Sequence, residues 1–377
     1  MKERRGRPSN ILIAKRLNNQ KRSYLLVNSL QAKHLPVSPS AALAMMERLG
    51  EKLVRRAEPP CLAAAFAETA TAVGAAAAKT LGDDTLFMTT TREPQAEGRW
   101  IEFLEEHSHA RQHMLCADGL EERIARSGSV ILLDDEFSTG KTLRNMFKRL
   151  KEEYPAILGK SLIAASLLNR LSDENAQRLL EEGIGEEALW KIPEEDYIPA
   201  LAQIDVCEAE PVSIADAAAD IERLRWKHSL PDPRRGVVIG VYDEACRRLN
   251  EDILGRIAGA VLESRSVLVL GTEECMYPAI LMGSEIERRF PGIAVYSQAT
   301  TRSPIGISAA AGYPIREGWR LPSLYDEERV TYIYNLAHYD TAIIVTDAKA
   351  PGRAALSALS AALCGHGKTR IILVEAG

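Results

Sequence analysis

Six cysteines, at 61, 116, 207, 246, 275 and 364, are scattered over 377 residues without a C-x-x-C pair or an even framework. That shortage excludes a disulfide scaffold, argues against structural zinc, and fits a chain kept reduced in the cytoplasm. Long apolar runs are missing too. The alanine-rich residues 62–78 are interrupted by Glu68 and are too weakly apolar to span a bilayer. No secretory leader is visible, because the basic start is followed only by the short SYLLV before polar residues return. Strong net charge is absent as well, at −5 overall. The charge is unevenly spread, however. Residues 1–22 hold eight Lys or Arg against one Glu, a local +7 that leaves −12 for the rest. This stretch reads as a solvated, poorly ordered tail, with contact to nucleic acid or acidic lipid as the alternative.

What is present is enough chain for more than one core. The expected division is a tail at 1–22, a first domain at 23–212, a linker helix and approach at 213–235, and a second domain at 236–377. The linker helix is read from SIADAAADIERLRW, and PDPRRG marks the start of the second domain.

The stretch VILLDDEFSTGKT, residues 130–142, organises the first domain. Four apolar residues without alternation predict a strand buried on both faces of a parallel sheet, and a helical run, LRNMFKRLKEE, follows. Between them, Ser138, Thr139, Gly140, Lys141 and Thr142 place small residues at the positive end of a helix dipole, where unpaired N–H groups cradle phosphate. Asp134 and Asp135 would repel a polyphosphate but are good acceptors for a vicinal diol. Phosphate beside diol suggests a ribose 5-phosphate. A P-loop is the rival reading. It requires a glycine five residues before Gly140, where the chain has Asp135. A strand-to-helix turn without phosphate is the bland alternative.

An apolar strand, two acids, two residues and then S/T-T-G-x-T resembles the phosphoribosyl pyrophosphate (PRPP) motif of the type I phosphoribosyltransferases. The resemblance implies that Asp134 and Asp135 hold the ribose 2- and 3-hydroxyls and that residues 138–142 hold the 5-phosphate. PRPP is then the co-substrate and Mg²⁺ the cofactor, held by PRPP with Glu68, Asp134 and Asp135 through water rather than by a dedicated protein cage. A second strand, 61–66, runs into Ala67-Glu68-Thr69-Ala70-Thr71 and another helix. In the resembled family this loop holds pyrophosphate, which points to Glu68, Thr69 and Thr71; a helix N-cap explains Thr69 alone equally well. A third strand, TLFMTTT, leads to Arg92 and a long polar stretch in the place of the family's mobile flap, with Arg92 the best placed of Arg92, Arg99 and Arg111 to neutralise pyrophosphate. His107, His109 and His113 invite a metal reading, but no single conformation converges all three. Residues 22–36, with Lys33 and His34, are expected to form the hood over the acceptor base.

The second half repeats the plan. TTRSP at 300–304 echoes TTREP at 90–94, with Arg302 over Arg92, and AIIVTDAKAPGRA echoes VILLDDEFSTGKT, with Gly352 over Gly140. Arginine to glycine is 50 residues in one half and 48 in the other. With Glu273 placed over Glu68, the next interval is 29 against 24. These matches predict a tandem duplication, giving an α/β chain of two doubly wound, mostly parallel domains. Ala350, Pro351 and Ala354 replace the hydroxyls of the first motif, so the second copy is expected to be degenerate. Glu273, Arg302, Ser303, Lys349 and Arg353 are left as a candidate second anion site. TTRSPIG also resembles the TRSP domain found after an orotate-phosphoribosyltransferase-like domain in proteins of bacterial tellurium-resistance, stress-response gene clusters. That resemblance implies biosynthesis of a nucleoside-like metabolite from small-molecule substrates, with other enzymes of the same cluster as partners; a homodimer is expected from the general prevalence of two-fold pairing. A non-catalytic PRPP or nucleotide sensor, touching RNA through the basic tail, is the alternative.

Overall fold

The computed structural model describes residues 7–18, 22–93, 95–103, 113–193, 195, 197–212 and 220–377. The chain divides into two compact units, neither of them continuous. The first is built mainly from Ala44–Glu195 and Pro231–Ala245, the second from Ser9–Leu43, Asp196–Leu230 and Cys246–Gly377.

The first unit is organised on a six-stranded sheet in the order Val237–Val238, Leu86–Thr89, Cys61–Ala65, Ser129–Phe137, Ser161–Asn169, Ile184–Lys191. All neighbours are parallel except the first pair. The two middle strands are buried along their apolar lengths because helices cover the sheet. Helix Lys141–Glu153 does so with Leu143, Met146, Phe147 and Leu150, the i, i+3, i+4, i+7 spacing of one buried stripe, which packs with Leu62, Met88, Leu132 and Leu162. Helix Thr71–Leu81 approaches more closely because six of its eleven residues are alanine or glycine. A β-carbon on Gly74 would lie 2.3 Å from that of Ala65, so only glycine fits there.

The second unit repeats the arrangement on five strands, all parallel, in the order Ile221–Arg225, Arg370–Glu375, Thr341–Thr346, Ser266–Gly271, Ala294–Ala299. Counted outward from the strand that carries the motif, the order matches the first unit's. The differences lie at the edges: the first unit adds the antiparallel Val237–Val238, and the second unit's edge strand Ile221–Arg225 comes from upstream of the sheet instead of downstream. Each unit also has an antiparallel hairpin after its Thr-Thr-Arg segment: Trp100–Phe103 with His113–Cys116, and Gly318–Pro322 with Val330–Tyr334. The expected α/β class with two doubly wound, mostly parallel sheets is what the chain adopts.

Several boundaries differ from expectation. Residues 11–15 are not a loose tail: Ile11–Lys15 pairs antiparallel with Tyr24–Asn28 within the second unit, and Ile11 and Ala14 are buried. Residues 1–6 and 19–21 lie outside the described residues. The hood segment also belongs to the second unit. Lys33 is fully buried there, donating from Nζ to the carbonyls of Glu273 at 3.1 Å and Thr300 at 2.9 Å, which ends its expected role in a base pocket of the first domain. The expected linker helix is a strand over Ile221–Arg225. Its neighbour on the sheet supplies backbone bonds and the ion pairs Arg223–Glu375 and Arg370–Glu222, so tertiary pairing overrides local helix preference. Residues 213–219 are outside the described range. Just past PDPRRG the chain makes only the short strand Val237–Val238, and helix Ile239–Leu262 follows directly. Among the described residues no helix is long and apolar enough to cross a membrane.

Candidate functional site

Strand Ser129–Phe137 is buried as far as Leu133 and then becomes partly exposed at Asp134 and Asp135. The two aspartates therefore stand at the carboxyl rim of the sheet, where ligands bind in open α/β folds. The Asp135 amide donates to the Asp134 carboxylate at 2.8 Å. Glu136, which sequence reasoning passed over, has a structural task. Its carboxylate pairs with Arg170 at 2.9 Å with both side chains nearly buried, bracing the strand end on which the aspartates sit.

The turn that follows is open to a ligand. Gly140 is the N-cap of helix Lys141–Glu153, at φ 68°, with no side chain capping the helix. A β-carbon there would meet Leu171 at 3.1 Å, and the left-handed φ itself disfavours any other residue. The Lys141 amide leans on Thr139 Oγ1 at 3.4 Å, and the first helical bond runs from Arg144 to the Gly140 carbonyl. Among the described residues, the amides of Thr142 and Leu143 donate to no protein acceptor. These two N–H groups, with the Ser138 and Thr139 hydroxyls beside them and Lys141 exposed, make a cradle of the size and sign of a phosphate.

The second loop, between strand Cys61–Ala65 and helix Thr71–Leu81, carries the other expected residues. Glu68 is nearly buried, Thr69 is half-exposed, and the Thr71 hydroxyl donates to the Glu68 carbonyl at 3.1 Å, so Thr71 serves first to start its helix. Arg92 stands at the end of strand Leu86–Thr89 and donates to His113 Nε2 from Nε at 3.1 Å and Nη2 at 2.6 Å. His113 is thus engaged by an arginine, which excludes it from the metal reading. Arg99 is also removed from the candidates. It donates to the Tyr154 hydroxyl, at the far end of the helix that Gly140 begins, and that helix is roughly 20 Å long. Burial pushes the Tyr154 hydroxyl above its ordinary value, and the nearby Arg99 acts against that shift. His107, His109 and Arg111 lie outside the described residues.

Hydrogen bonds fix the true correspondence between the two copies. The Thr90 amide donates to the Ala65 carbonyl at 2.9 Å and the Thr300 amide to the Gly271 carbonyl at 3.1 Å. Thr90 Oγ1 accepts from the Ala67 amide, and Thr300 Oγ1 from the Glu273 amide. Glu273 therefore stands over Ala67, and Glu274 over Glu68, a one-residue correction to the sequence alignment.

In the second copy the site is filled by the protein itself. Glu327, in the hairpin turn, places Oε1 on the amides of Ala354 and Ala355 at 2.8 and 3.2 Å, the counterparts of Thr142 and Leu143. Gly352 allows this, since a β-carbon there would lie 2.3 Å from Glu327 Oε1. The Tyr325 hydroxyl donates to Asp347, and Ser323 and Arg329 meet the Glu273 carboxylate, which Arg302 also grips at 2.6 Å. Of the expected second anion site, Lys349 and Arg353 are exposed, Arg302 is taken by Glu273, and the Ser303 amide closes a turn on Thr301 Oγ1. A carboxylate already sits where an anion was expected.

A family model described as phosphoribosyl transferase matches residues 11–188, and the TRSP domain, described as carboxyl-terminal to it, matches residues 240–363. Residues 11–188 thus form a domain of the phosphoribosyltransferase type, a little under half of the chain, followed by a TRSP domain. Among solved structures, the adenine phosphoribosyl transferase of Trypanosoma brucei, in complex with AMP, pyrophosphate and ribose-5-phosphate, is 16% identical with a TM-score of 0.30, over 41% of this chain and 64% of that one. The chain thus spans a little under two thirds of the Trypanosoma enzyme's length. The adenine phosphoribosyltransferase of Leishmania tarentolae is 14% identical with a TM-score of 0.33, over 49% and 83% of the two chains. A hypoxanthine phosphoribosyltransferase of Staphylococcus aureus is 16% identical with a TM-score of 0.26, over 43% and 78%. No curated protein matches the chain.

Sequence reasoning singled out the aspartates, the Gly140 turn, the Glu68 loop and Arg92. It missed Thr90, although Thr90-Thr91-Arg92 recurs as Thr300-Thr301-Arg302 and the repeat includes the threonines. It also missed Glu327, for which no local signal exists.

Proposed function

We propose that the first unit transfers the 5-phosphoribosyl group of PRPP to a nitrogenous, base-like acceptor and releases pyrophosphate, in the biosynthesis of a nucleoside-like metabolite. The observation that carries this reading is the pairing of two half-exposed carboxylates, Asp134 and Asp135, with the open amides of Thr142 and Leu143 one turn later. Acids alone would suit a cation and amides alone an anion. Side by side they suit a sugar diol that carries a phosphate.

In this reading Asp134 and Asp135 accept hydrogen bonds from the ribose hydroxyls, and Ser138, Thr139, Gly140, Lys141 and Thr142 surround the 5-phosphate. Thr69 and the loop around Glu68, with Arg92, face the pyrophosphate. The carboxylates at the rim are hard oxygen donors and fit Mg²⁺ shared with substrate oxygens and water. When bound, Mg²⁺ offsets charge on the departing pyrophosphate. The chain's own contribution is orientation and charge: the aspartates fix the ribose face, the turn anchors the far end, and Arg92 stabilises the leaving group as its charge develops. No side chain need attack covalently. The TRSP resemblance supports a place in stress-response metabolism beside other enzymes of one gene cluster.

Incubated with PRPP, Mg²⁺ and a panel of purine, pyrimidine and related nitrogen heterocycles, the chain is expected to release pyrophosphate with at least one acceptor. PRPP binding without release across the whole panel would contradict transfer and leave a sensor.

A further inference from the structure

We propose that residues 231–239 are a strap that sets the pyrophosphate side of the first unit, with Arg235 as its positioning residue. The inference rests on the phosphoribosyltransferase reading above, and it gives a task to a stretch that falls between the two family matches, at 11–188 and 240–363. The strap is stiff for local reasons. Pro231 and Pro233 each fix φ, and the Asp232 carboxylate caps the short helical turn Pro233–Arg235 by accepting the Arg234 amide at 3.0 Å. Gly236, at φ 81°, then lets the chain pass close to Arg123. A β-carbon there would lie 2.2 Å from Arg123 Nη1, which instead donates to the Arg235 carbonyl at 2.8 Å.

Two elements flank Thr90-Thr91-Arg92, and the strap holds both. Strand Leu86–Thr89, which runs directly into Thr90, gains Val237–Val238 as an antiparallel edge partner, and the Ile239 amide donates to the Thr85 carbonyl at 2.9 Å. The hairpin of Trp100–Phe103 and His113–Cys116 is held at its base. The Arg235 guanidinium lies 5.8 Å from the centre of the Trp100 ring, and its Nη2 donates at 3.2 Å to the Glu97 carbonyl, which also accepts the Trp100 indole N–H at 2.9 Å. A two-stranded ribbon is marginal by itself, so its setting depends on such ties. This one meets the rim where Thr91 and Met114 exchange two backbone bonds of 2.9 Å, and it carries His113, to which Arg92 donates. Shifting its base shifts the surroundings of Arg92, whereas Asp134, Asp135 and the Gly140 turn belong to a different strand and helix. The second unit repeats part of the device: Val37 pairs antiparallel with Ser297 on the corresponding edge strand, and helix Pro39–Val54 follows as Ile239–Leu262 follows Val238. An edge strap before a helix thus belongs to the duplicated plan.

Pyrophosphate and ribose 5-phosphate affinities, each measured separately on the full chain with Mg²⁺, test this. Arg235→Ala should weaken pyrophosphate by about five- to tenfold, and Trp100→Ala should match it, since either change opens the clasp. The double variant should be no more than about twofold weaker than the single ones, because the two side chains act as one unit. Arg235→Lys, which keeps a cation for the ring, should stay within about threefold of wild type. Ribose 5-phosphate should change less than about twofold throughout, and it reports that the first unit is folded. Should the tryptophan variant not fold, Arg235→Ala and Arg235→Lys decide, and equal pyrophosphate affinity in those two overturns the inference. An equal loss of ribose 5-phosphate in Arg235→Ala, or losses that multiply in the double variant, also overturns it; each of these results leaves the transferase standing. A wild-type chain that binds neither ligand overturns both.

Discussion

Asp134→Asn combined with Asp135→Asn is expected to erase the rise in melting temperature that PRPP with Mg²⁺ gives the wild-type chain. A ligand at a hundred times its Kd stabilises the fold by about 2.7 kcal/mol, a shift of roughly 5–11 °C for a unit of this size. Each hydrogen bond to a charged acceptor is worth about 1.5–3 kcal/mol, so removing two charges takes away about 3–6 kcal/mol and consumes the whole shift. Asparagine keeps the volume and an acceptor oxygen, including one for the Asp135 amide, and both positions are half-exposed. The unliganded variant should therefore melt within a few degrees of wild type. A ligand-induced shift of unchanged size would contradict the assignment of the diol to these residues.

The second large effect lies in the other unit. Glu273 is 1% exposed and faces two guanidiniums, with Arg302 Nε at 2.6 Å and Arg329 Nη2 at 3.1 Å from the same oxygen. It adopts φ 46°, a left-handed conformation that costs a non-glycine residue on the order of 1–2 kcal/mol. Its carboxylate contacts hold it there together with two backbone anchors, the Thr300 hydroxyl on its amide and the Lys33 ammonium on its carbonyl. Glu273→Ala takes from Arg302 and Arg329 the carboxylate closest to both, leaving Arg302 beside Glu274 at 3.9 Å, without relieving the backbone, and should lower stability by up to about 3–5 kcal/mol in denaturant melts. Glu273→Gln, which keeps acceptor capacity, should fall between. A loss below about 1 kcal/mol in the alanine variant would show that the cluster is solvated and not a built-in ligand.

The two copies show what could be read from residue order and what could not. The PRPP-like strand, its turn and its helix were legible because the signal is local: an unbroken apolar run, two acids, then small residues before an amphipathic stripe. Duplication was legible because Thr-Thr-Arg and the glycine turn recur at nearly equal intervals. The failures are all tertiary. Ile221–Arg225 has helix-like neighbours and becomes a strand only because the edge of Arg370–Glu375 is waiting to be paired. Lys33 looks like a surface cation of a hood until two carbonyls of the second unit enclose its ammonium. Glu327 reaches Ala354 across 27 residues of chain, beyond any local pattern. The alignment of Glu273 slipped by one because only the Thr90 and Thr300 hydrogen bonds, not the spacing, define the register.

The turn after Asp135 is interrogated most directly by a crystal structure of the full chain grown with ribose 5-phosphate and Mg²⁺. One ligand per chain is expected, with its phosphate on the Thr142 and Leu143 amides, its hydroxyls on Asp134 and Asp135, and Glu327 still seated on Ala354 and Ala355 in the second unit. A ligand found in the second unit with Glu327 displaced, or a first-unit turn that stays empty at saturating ligand, would contradict this expectation.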